Sequence, residues 1–264
     1  MMRFRTALAG AALALSAPIL AAQNVLIVNG SSTTTEPGTT TNITNNLRTL
    51  HQAVGNTVTV VDAVPMSLAG FQQVWDIRFF GAGALSPALQ TQYLTYLQAG
   101  GRMFLMGENS GFMARNNSIF ALIAAAGGGN LGFTGGLCTN DRQTVNAPFT
   151  GPAPVATVEY PCAGNFNGRG TGSWITNDGA IGAGVAFTIG TLANASAGAL
   201  TSILDVNFME GNRGVELQNL TRNLIGFTNA PPPPPGVVPE PSTYALMATG
   251  LVGLAALRRR RRRA

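Results

Sequence analysis

The sequence predicts an α/β fold: a three-layer, doubly wound, mainly parallel sheet with a loop-rich insertion. Three observations carry this. Short apolar runs alternate with segments of helical periodicity. Each run ends in a turn rich in Gly, Asn or Ser. The connections are long enough for right-handed crossovers between parallel strands.

Asn24-Val25-Leu26-Ile27-Val28 is a continuous apolar run before Asn29-Gly30, as expected of a strand buried on both faces. Ile43, Leu47, Leu50 and Val54 then fall on one helical face, and Gly55 stops that helix. Val58 to Asp62 predicts the second strand, and Val74 to Phe80 the third, running into Gly81-Ala82-Gly83. Ser86 is a candidate N-cap with Pro87 at the first helical position, and Leu89, Tyr93 and Leu97 line a face that ends at Gly100-Gly101. Arg102 to Met106 predicts the fourth strand, followed by Gly107-Glu108-Asn109-Ser110-Gly111 and a helix over about Ser118 to Ala126. From Gly127 to about Gly184 the alternation lapses into Gly, Asn, Thr and Pro, which predicts an insertion of loops and short, antiparallel strands. Val185 to Ile189 and Leu200 to Phe208 predict strands again, and Val215, Leu220, Leu224 and Phe227 a final helix.

The two ends have a different composition. At the N-terminus, Arg3 and Arg5 precede an apolar stretch from Ala7 to Leu20 and a small residue, Ala22, the pattern of an export signal peptide. Leu20 is not an ideal residue at the third position before the cleaved bond, so the exact bond is open. At the other end, Pro231 to Pro235 form an extended polyproline stem. Tyr244 to Leu257 is an uncharged run of roughly 21 Å if helical, short of a hydrocarbon core of about 30 Å. Snorkelling of the first following arginine and local thinning of the bilayer can make up the difference. Arg258, Arg259, Arg260, Arg261, Arg262 and Arg263 would stay on the cytoplasmic side. A plain membrane anchor accounts for the apolar run and the arginines, but has no need of Pro239-Glu240-Pro241.

The order of Pro239, Glu240, Pro241, the aromatic Tyr244, the apolar helix and the terminal arginines resembles the PEP-CTERM sorting signal. That resemblance implies processing by exosortase, a membrane transpeptidase-like enzyme of Gram-negative bacteria. It also implies a precursor in the inner membrane with its body in the periplasm, and a mature form in the cell envelope or outside. The implied organisation is a signal peptide over 1–22, a body over 23–230 with its insertion at about 127–184, a Pro-rich linker over 231–237, and a sorting segment over 238–264 with a transmembrane helix at 244–257. The implied partners are the export machinery and exosortase. The family's association with exopolysaccharide adds that polymer as a third.

Charge excludes one class of function. The whole chain has a formal charge of +5, with 16 basic residues, all of them arginine. Two of these lie in the export signal and six in the tail, so the body from Gln23 to Pro235 holds eight arginines against ten acids. At about −2 and with no basic run, it has no electrostatic footprint for nucleic acid. The two cysteines, Cys138 and Cys162, suit a disulfide in an oxidising compartment, which would close a loop of about 25 residues and contribute roughly 3 kcal/mol. A metal site would need more ligands than two isolated cysteines and one distant histidine, so no metal or cofactor is expected.

The runs "VLIVNG", "VWDIRFFG", "YLTYLQAGGRMFLMGEN" and "ILDVNFMEGNRGVELQNLTRNLIGF" resemble the class I glutamine amidotransferase-like superfamily, which implies a flavodoxin-like layout. Catalytic members present a cysteine on a G-x-C-x-G turn. The matching turn here is Gly107 to Gly111, with Asn109 in the cysteine's place. An amide cannot serve as a thiolate does, and Ser110 stands one residue off the apex. The one histidine, His51, precedes the turn in sequence and borders a core face, which suits a structural role better than a base. Asp141, Asp178, Asp205 and Glu210 match no calcium loop and are expected to be solvated loop acids. Gly30-Ser31-Ser32 could cradle an anion, though no dinucleotide fingerprint follows. Most of the five Asn-x-Ser/Thr triplets, starting at Asn29, Asn42, Asn116, Asn194 and Asn219, are expected by chance in so Asn- and Thr-rich a chain.

If the body binds a ligand, an open parallel sheet puts the site at the carboxyl ends of its strands. The candidate residues are Gly30, Ser31, Gly81, Glu108, Asn109, Ser110, Asn207 and Glu210. Three functions remain open on the sequence: a non-catalytic binding or matrix-associated domain, an atypical hydrolase using Ser110 or Glu108, and a purely structural component of a surface matrix.

Overall fold

The computed structural model describes residues 22–79, 83–135 and 140–229. Its eleven-stranded sheet has two halves. The parallel half consists of β1 (Asn24–Val28), β2 (Thr57–Val61), β3 (Gln73–Asp76), β4 (Arg102–Met106) and β11 (Ala199–Ile203) in the order β2-β1-β3-β4-β11. Two helical layers cover it. Val25 and Ile27 of β1, Trp75 and Phe104 pack with α1 (Pro37–Ala53) and α4 (Val215–Asn229). Leu26 and Val28, Val74, Met103 and Leu105 pack with α2 (Pro87–Gln98) and α3 (Met113–Ala125). Burial on both faces is why β1 and β4 are nearly continuous apolar runs, whereas the edge strand β2 alternates Thr and Val and stays partly exposed. The expected α/β, doubly wound, flavodoxin-like layout is what the chain adopts.

The insertion forms the other half of the same sheet. β6 (Asp141–Val145), β7 (Thr157–Tyr160), β9 (Ser173–Asp178) and β10 (Ile181–Phe187) continue the order as β11-β10-β9-β6-β7, every ladder antiparallel. Two short strands, β5 (Phe133–Thr134) and β8 (Asn165–Phe166), pair with each other, and β8 also pairs with β10. The insertion is thus the expected set of short antiparallel strands joined by long loops, and its strands extend the parallel sheet. β10 also starts at Ile181, earlier than the expected Val185. Its opening Gly-Ala-Gly hides it from an apolar-run reading, yet those small residues are required. A Cβ on Gly182 would stand 2.3 Å from the Thr176 carbonyl oxygen, and one on Gly184 3.0 Å from both Ile175 and Ile203. The register of β9 against β10 shifts across the same residues, which marks a bulge.

Several boundaries move for local reasons. β3 ends at Asp76, because Ile77 bonds back to Val28 and Arg78 turns onto Asp76. β11 ends at Ile203, and Asp205 then caps a 3-10 turn over Asn207–Met209 in place of the expected continuation to Phe208. α3 starts at Met113, not Ser118. In α4 the core stripe uses Leu217, while Val215 is 62% exposed.

His51 lies inside the core, not at its border. With Ile43 and Leu47 it completes an i, i+4, i+8 stripe on α1, and all three are buried, whereas Val54 is exposed. Its ring stands edge-on to Trp75 at 4.9 Å, and Asn56 Nδ2 lies 3.1 Å from its Nδ1. Burial pushes the imidazole down to about 3. Asn56 and Gln73 both donate to Asn229 Oδ1, and Gln23 donates to the Asn229 carbonyl. This neutral polar cluster closes the amino edge of the parallel strands and joins the chain entering β1 to the end of α4.

Candidate functional site

The strand order reverses between β1 and β3, so the crevice of a doubly wound sheet belongs above their carboxyl ends. Here that place is filled by the chain's own charges. Asp76, fully buried at the end of β3, accepts Arg78 Nε at 2.9 Å, Arg78 Nη2 at 2.7 Å and the Tyr93 hydroxyl at 2.8 Å. Arg115 of α3 adds an ion pair at 3.1 Å and donates its Nε to the Met106 carbonyl of β4. Burial alone would raise the Asp76 carboxyl, but Arg115 and Arg78 outweigh it and hold it well below the usual carboxylate range. The Arg78 stem crosses Gly30, where a Cβ would lie 2.9 Å from Arg78 Cγ and φ is 62°. That turn needs glycine both for its left-handed backbone and for the close approach.

The expected anion cradle at Gly30-Ser31-Ser32 is occupied from within. Ser32 N–H donates to Asp62 Oδ1 at 2.6 Å, and the Ser31 and Ser32 hydroxyls donate to the same carboxylate. These donors, Ser32 first, lower the Asp62 carboxyl. Ser31 itself is exposed.

After β4, the turn at Gly107 to Gly111 carries no nucleophile at its apex. Asn109 uses both ends of its amide: Oδ1 accepts from Gly111 N–H at 2.8 Å, and Nδ2 donates to Glu108 Oε1 at 3.0 Å. It thereby caps the 3-10 turn Ser110–Phe112 that leads into α3. Glu108 instead reaches across to the end of β11, where Oε2 accepts from Val206 N–H at 2.9 Å. Asp205, beside it, accepts from Cys162 N–H at 2.9 Å and Phe208 N–H at 3.0 Å. Burial first, then the Asp205 charge, push the Glu108 carboxyl up to about 8, against the pull of two backbone donors. Burial likewise pushes Asp205 up to about 6.

Asn207 Nδ2 donates to Glu210 Oε1, and Arg213 pairs with Glu210 Oε2, each at 2.9 Å. The structure thus brings Glu108 and Asn109 together with the start of the 206–210 turn. Ser110 and Asn207 are half-buried, and Glu108, Asn109 and Glu210 are buried. Gly81 lies outside the described residues. Among the described residues neither His51 nor any acid is within hydrogen-bond reach of the Ser110 hydroxyl, and His51 belongs to the opposite edge of the sheet. Asp205 and Asp141 are not solvated loop acids: Asp141 Oδ2 accepts from Gln143 and Asn165 at 2.7 and 3.0 Å. With Glu210 on Arg213, these acids serve separate partners rather than one cation.

Cys162 is buried, with Asn109 Nδ2 3.1 Å from its sulfur, and no described cysteine is free. Cys138 lies outside the described residues, as do the export signal through residue 21, the proline stem, the sorting segment and the expected helix at 244–257. Among the described residues no helix is long and apolar enough to cross a membrane.

Comparison with known proteins bears on the tail and the body separately. The PEP-CTERM protein-sorting motif matches residues 237–262. This chain carries an exosortase sorting signal. That motif implies a membrane-anchored precursor that exosortase processes for export. No curated protein matches the chain. Among solved structures, the body is similar to the mmIFT52 N-terminal domain, with a TM-score of 0.55 at 12% identity over 78% of this chain and 97% of that one. A putative ThuA-like protein from Bacteroides uniformis gives 0.50 at 10% identity over 82% and 93%. A cold-adapted β-galactosidase from Rahnella sp. R3 gives 0.51 at 13% identity, over 82% of this chain but 33% of that one. At such identities the likeness shows the α/β fold alone.

Proposed function

We propose that the chain is an exported, exosortase-sorted protein of the cell envelope or extracellular matrix, with a non-catalytic body of the glutamine amidotransferase-like type. The sorting motif at 237–262 carries the first part of this reading. Support for the second is the turn after β4, whose apex amide is consumed by capping and whose neighbouring carboxylate is consumed by the β11 turn. In this reading the segment 1–22 is removed on export, the body runs from 23 to 230, and residues 231–237 space it from the sorting segment 238–264. Its precursor sits in the inner membrane with the body in the periplasm. Of the described carboxyl-edge residues, Ser31, Ser110 and Asn207 keep accessible surface toward a hydroxylated ligand such as exopolysaccharide, Ser31 and Asn207 while bonded to Asp62 and Glu210.

The sorting test is direct. Replacing Pro239-Glu240-Pro241 with alanines is expected to hold the precursor in the inner membrane, whereas the wild-type protein is released without Arg258–Arg263. Mass spectrometry of both ends and fractionation of the cells read this out. Release of the triple variant at the wild-type level would show that exosortase does not read the tripeptide.

A Cys138–Cys162 disulfide in the insertion belongs to the same reading, because an exported chain meets an oxidising compartment. Thiol labelling of the native protein is expected to modify neither cysteine until a reductant is added. Labelling of both without reductant contradicts the pairing.

A further inference from the structure

We propose that Glu108 and Asp205 form a pH-sensitive latch at the carboxyl edge, closed while Glu108 holds a proton and loosened when both carboxyls are charged. The proposal stands on the body alone, independent of how the protein is sorted. Its basis is geometric. The two side chains are 2% and 0% exposed, and neither makes a salt bridge among the described residues. Their partners are neutral donors: the N–H groups of Asn109 and Val206 on Glu108, those of Cys162 and Phe208 on Asp205, and the Asn109 amide on Glu108. Through those bonds the pair ties together three segments distant in sequence: the turn after β4, the turn after β11 and the strand-to-loop stretch that holds Cys162.

A buried carboxylate is tolerated when a cation neutralises it, as Arg78 and Arg115 do for Asp76. Two buried carboxylates acting on each other without such contact are costly when both ionise. The surrounding charges do not cancel the effect. Glu36, just before α1, adds a further negative charge on Glu108. Arg213 favours the charged form of Asp205, but its contact is spent on Glu210. Tyr160 of β7 faces Asp205 and Asp141, and burial keeps its hydroxyl neutral. The upward displacement of both carboxyls agrees with this arrangement. As the pH rises past the point where Glu108 ionises, separating the pair or admitting water becomes the lower-energy state. In a compartment open to the surroundings, the ambient pH would then set how firmly the Cys162 segment and the 206–210 turn are held.

The latch is tested by amide hydrogen exchange on the full body, expressed as protection factors so that base catalysis of exchange drops out. Protection at Asn109, Val206, Cys162 and Phe208 is expected to fall by about tenfold or more from about pH 6 to about pH 9, relative to Leu105 in β4. The Glu108 carboxyl carbon should titrate with a midpoint near 8. Asp205→Asn removes the like charge and should shrink the loss at Asn109 and Val206. The proposal is overturned if the four amides keep their protection, if they fall only in step with Leu105, or if Glu108 titrates in the ordinary carboxylate range. The two wild-type measurements decide it even if the variant does not fold.

Discussion

Replacing Asp76 with alanine is expected to destabilise the body by about 3–5 kcal/mol, the cost of breaking a buried ion pair by removing one partner. Among the described residues Asp76 is the one anion in contact with two guanidinium groups, Arg115 at 2% exposure and Arg78 at 15%. Without it, both positive charges and the Tyr93 hydroxyl lose their common acceptor in a site with little water. The damage is structural as well as electrostatic, because the same carboxylate holds α2 through Tyr93 and α3 through Arg115 against the end of β3. Urea unfolding of the variant measures the loss. Asp76→Leu combined with Arg115→Met should recover part of it, since a well-packed apolar pair replaces an orphaned charge. A change below about 1 kcal/mol for Asp76→Ala, within the range of surface substitutions, would show that the cluster is not a structural anchor.

The centre of the parallel half was legible because burial on two faces leaves a plain mark in β1 and β4, a short apolar run with a helix after it. β6 and β9 leave none. Asp141-Arg142-Gln143-Thr144-Val145 and Ser173 to Asp178 are polar because each has an exposed or hydrogen-bonded side, and Gln143 spends its side chain on Asp141, Asn165 and the Ala183 N–H. β10 is concealed by the small residues that let its neighbours close on it. At the site, the turns were legible and their use was not. Asp76 sits in "VWDIRFF" as if it were one polar residue in a strand, and its partners Tyr93 and Arg115 come from two later helices. The one local signal was a charge in a run otherwise buried on both faces, which demands a partner of opposite sign. His51 carried a comparable signal. Successive spacings of four, from Ile43 to Leu47 and from Leu47 to His51, place it on the core stripe, where a histidine must be neutral.

Stability is expected to fall as the pH rises from about 4.5 to about 8, the reverse of the usual acid sensitivity, with Glu108 contributing on the order of 5 kcal/mol to the change. Its folded carboxyl is displaced from 4.5 to about 8. Between those values the native state keeps a proton that the unfolded chain gives up, so each step upward in pH favours unfolding. Below about 4.5 both states are protonated and the stabilisation is fully present; above about 8 it is gone. Asp205, displaced from 3.8 to about 6, adds a slope of the same sign over its own window. Asp76 acts oppositely at the acid end. Its folded carboxyl lies below the unfolded 3.8, so its contribution is present above that value and is lost as the pH falls through the folded one. The two effects leave a stability maximum near pH 4 to 5. Urea midpoints of the wild-type body at a series of pH values measure the profile, and Glu108→Gln should remove most of the slope above about pH 5. That variant starts from lower stability, since both Glu108 oxygens accept N–H donors and an amide can accept through only one of them. The slope, not the absolute midpoint, is therefore the discriminating quantity. A wild-type profile that is flat or rises between about pH 5 and about pH 8 would mean that Glu108 is ionised in the native state and that its three N–H donors outweigh its burial.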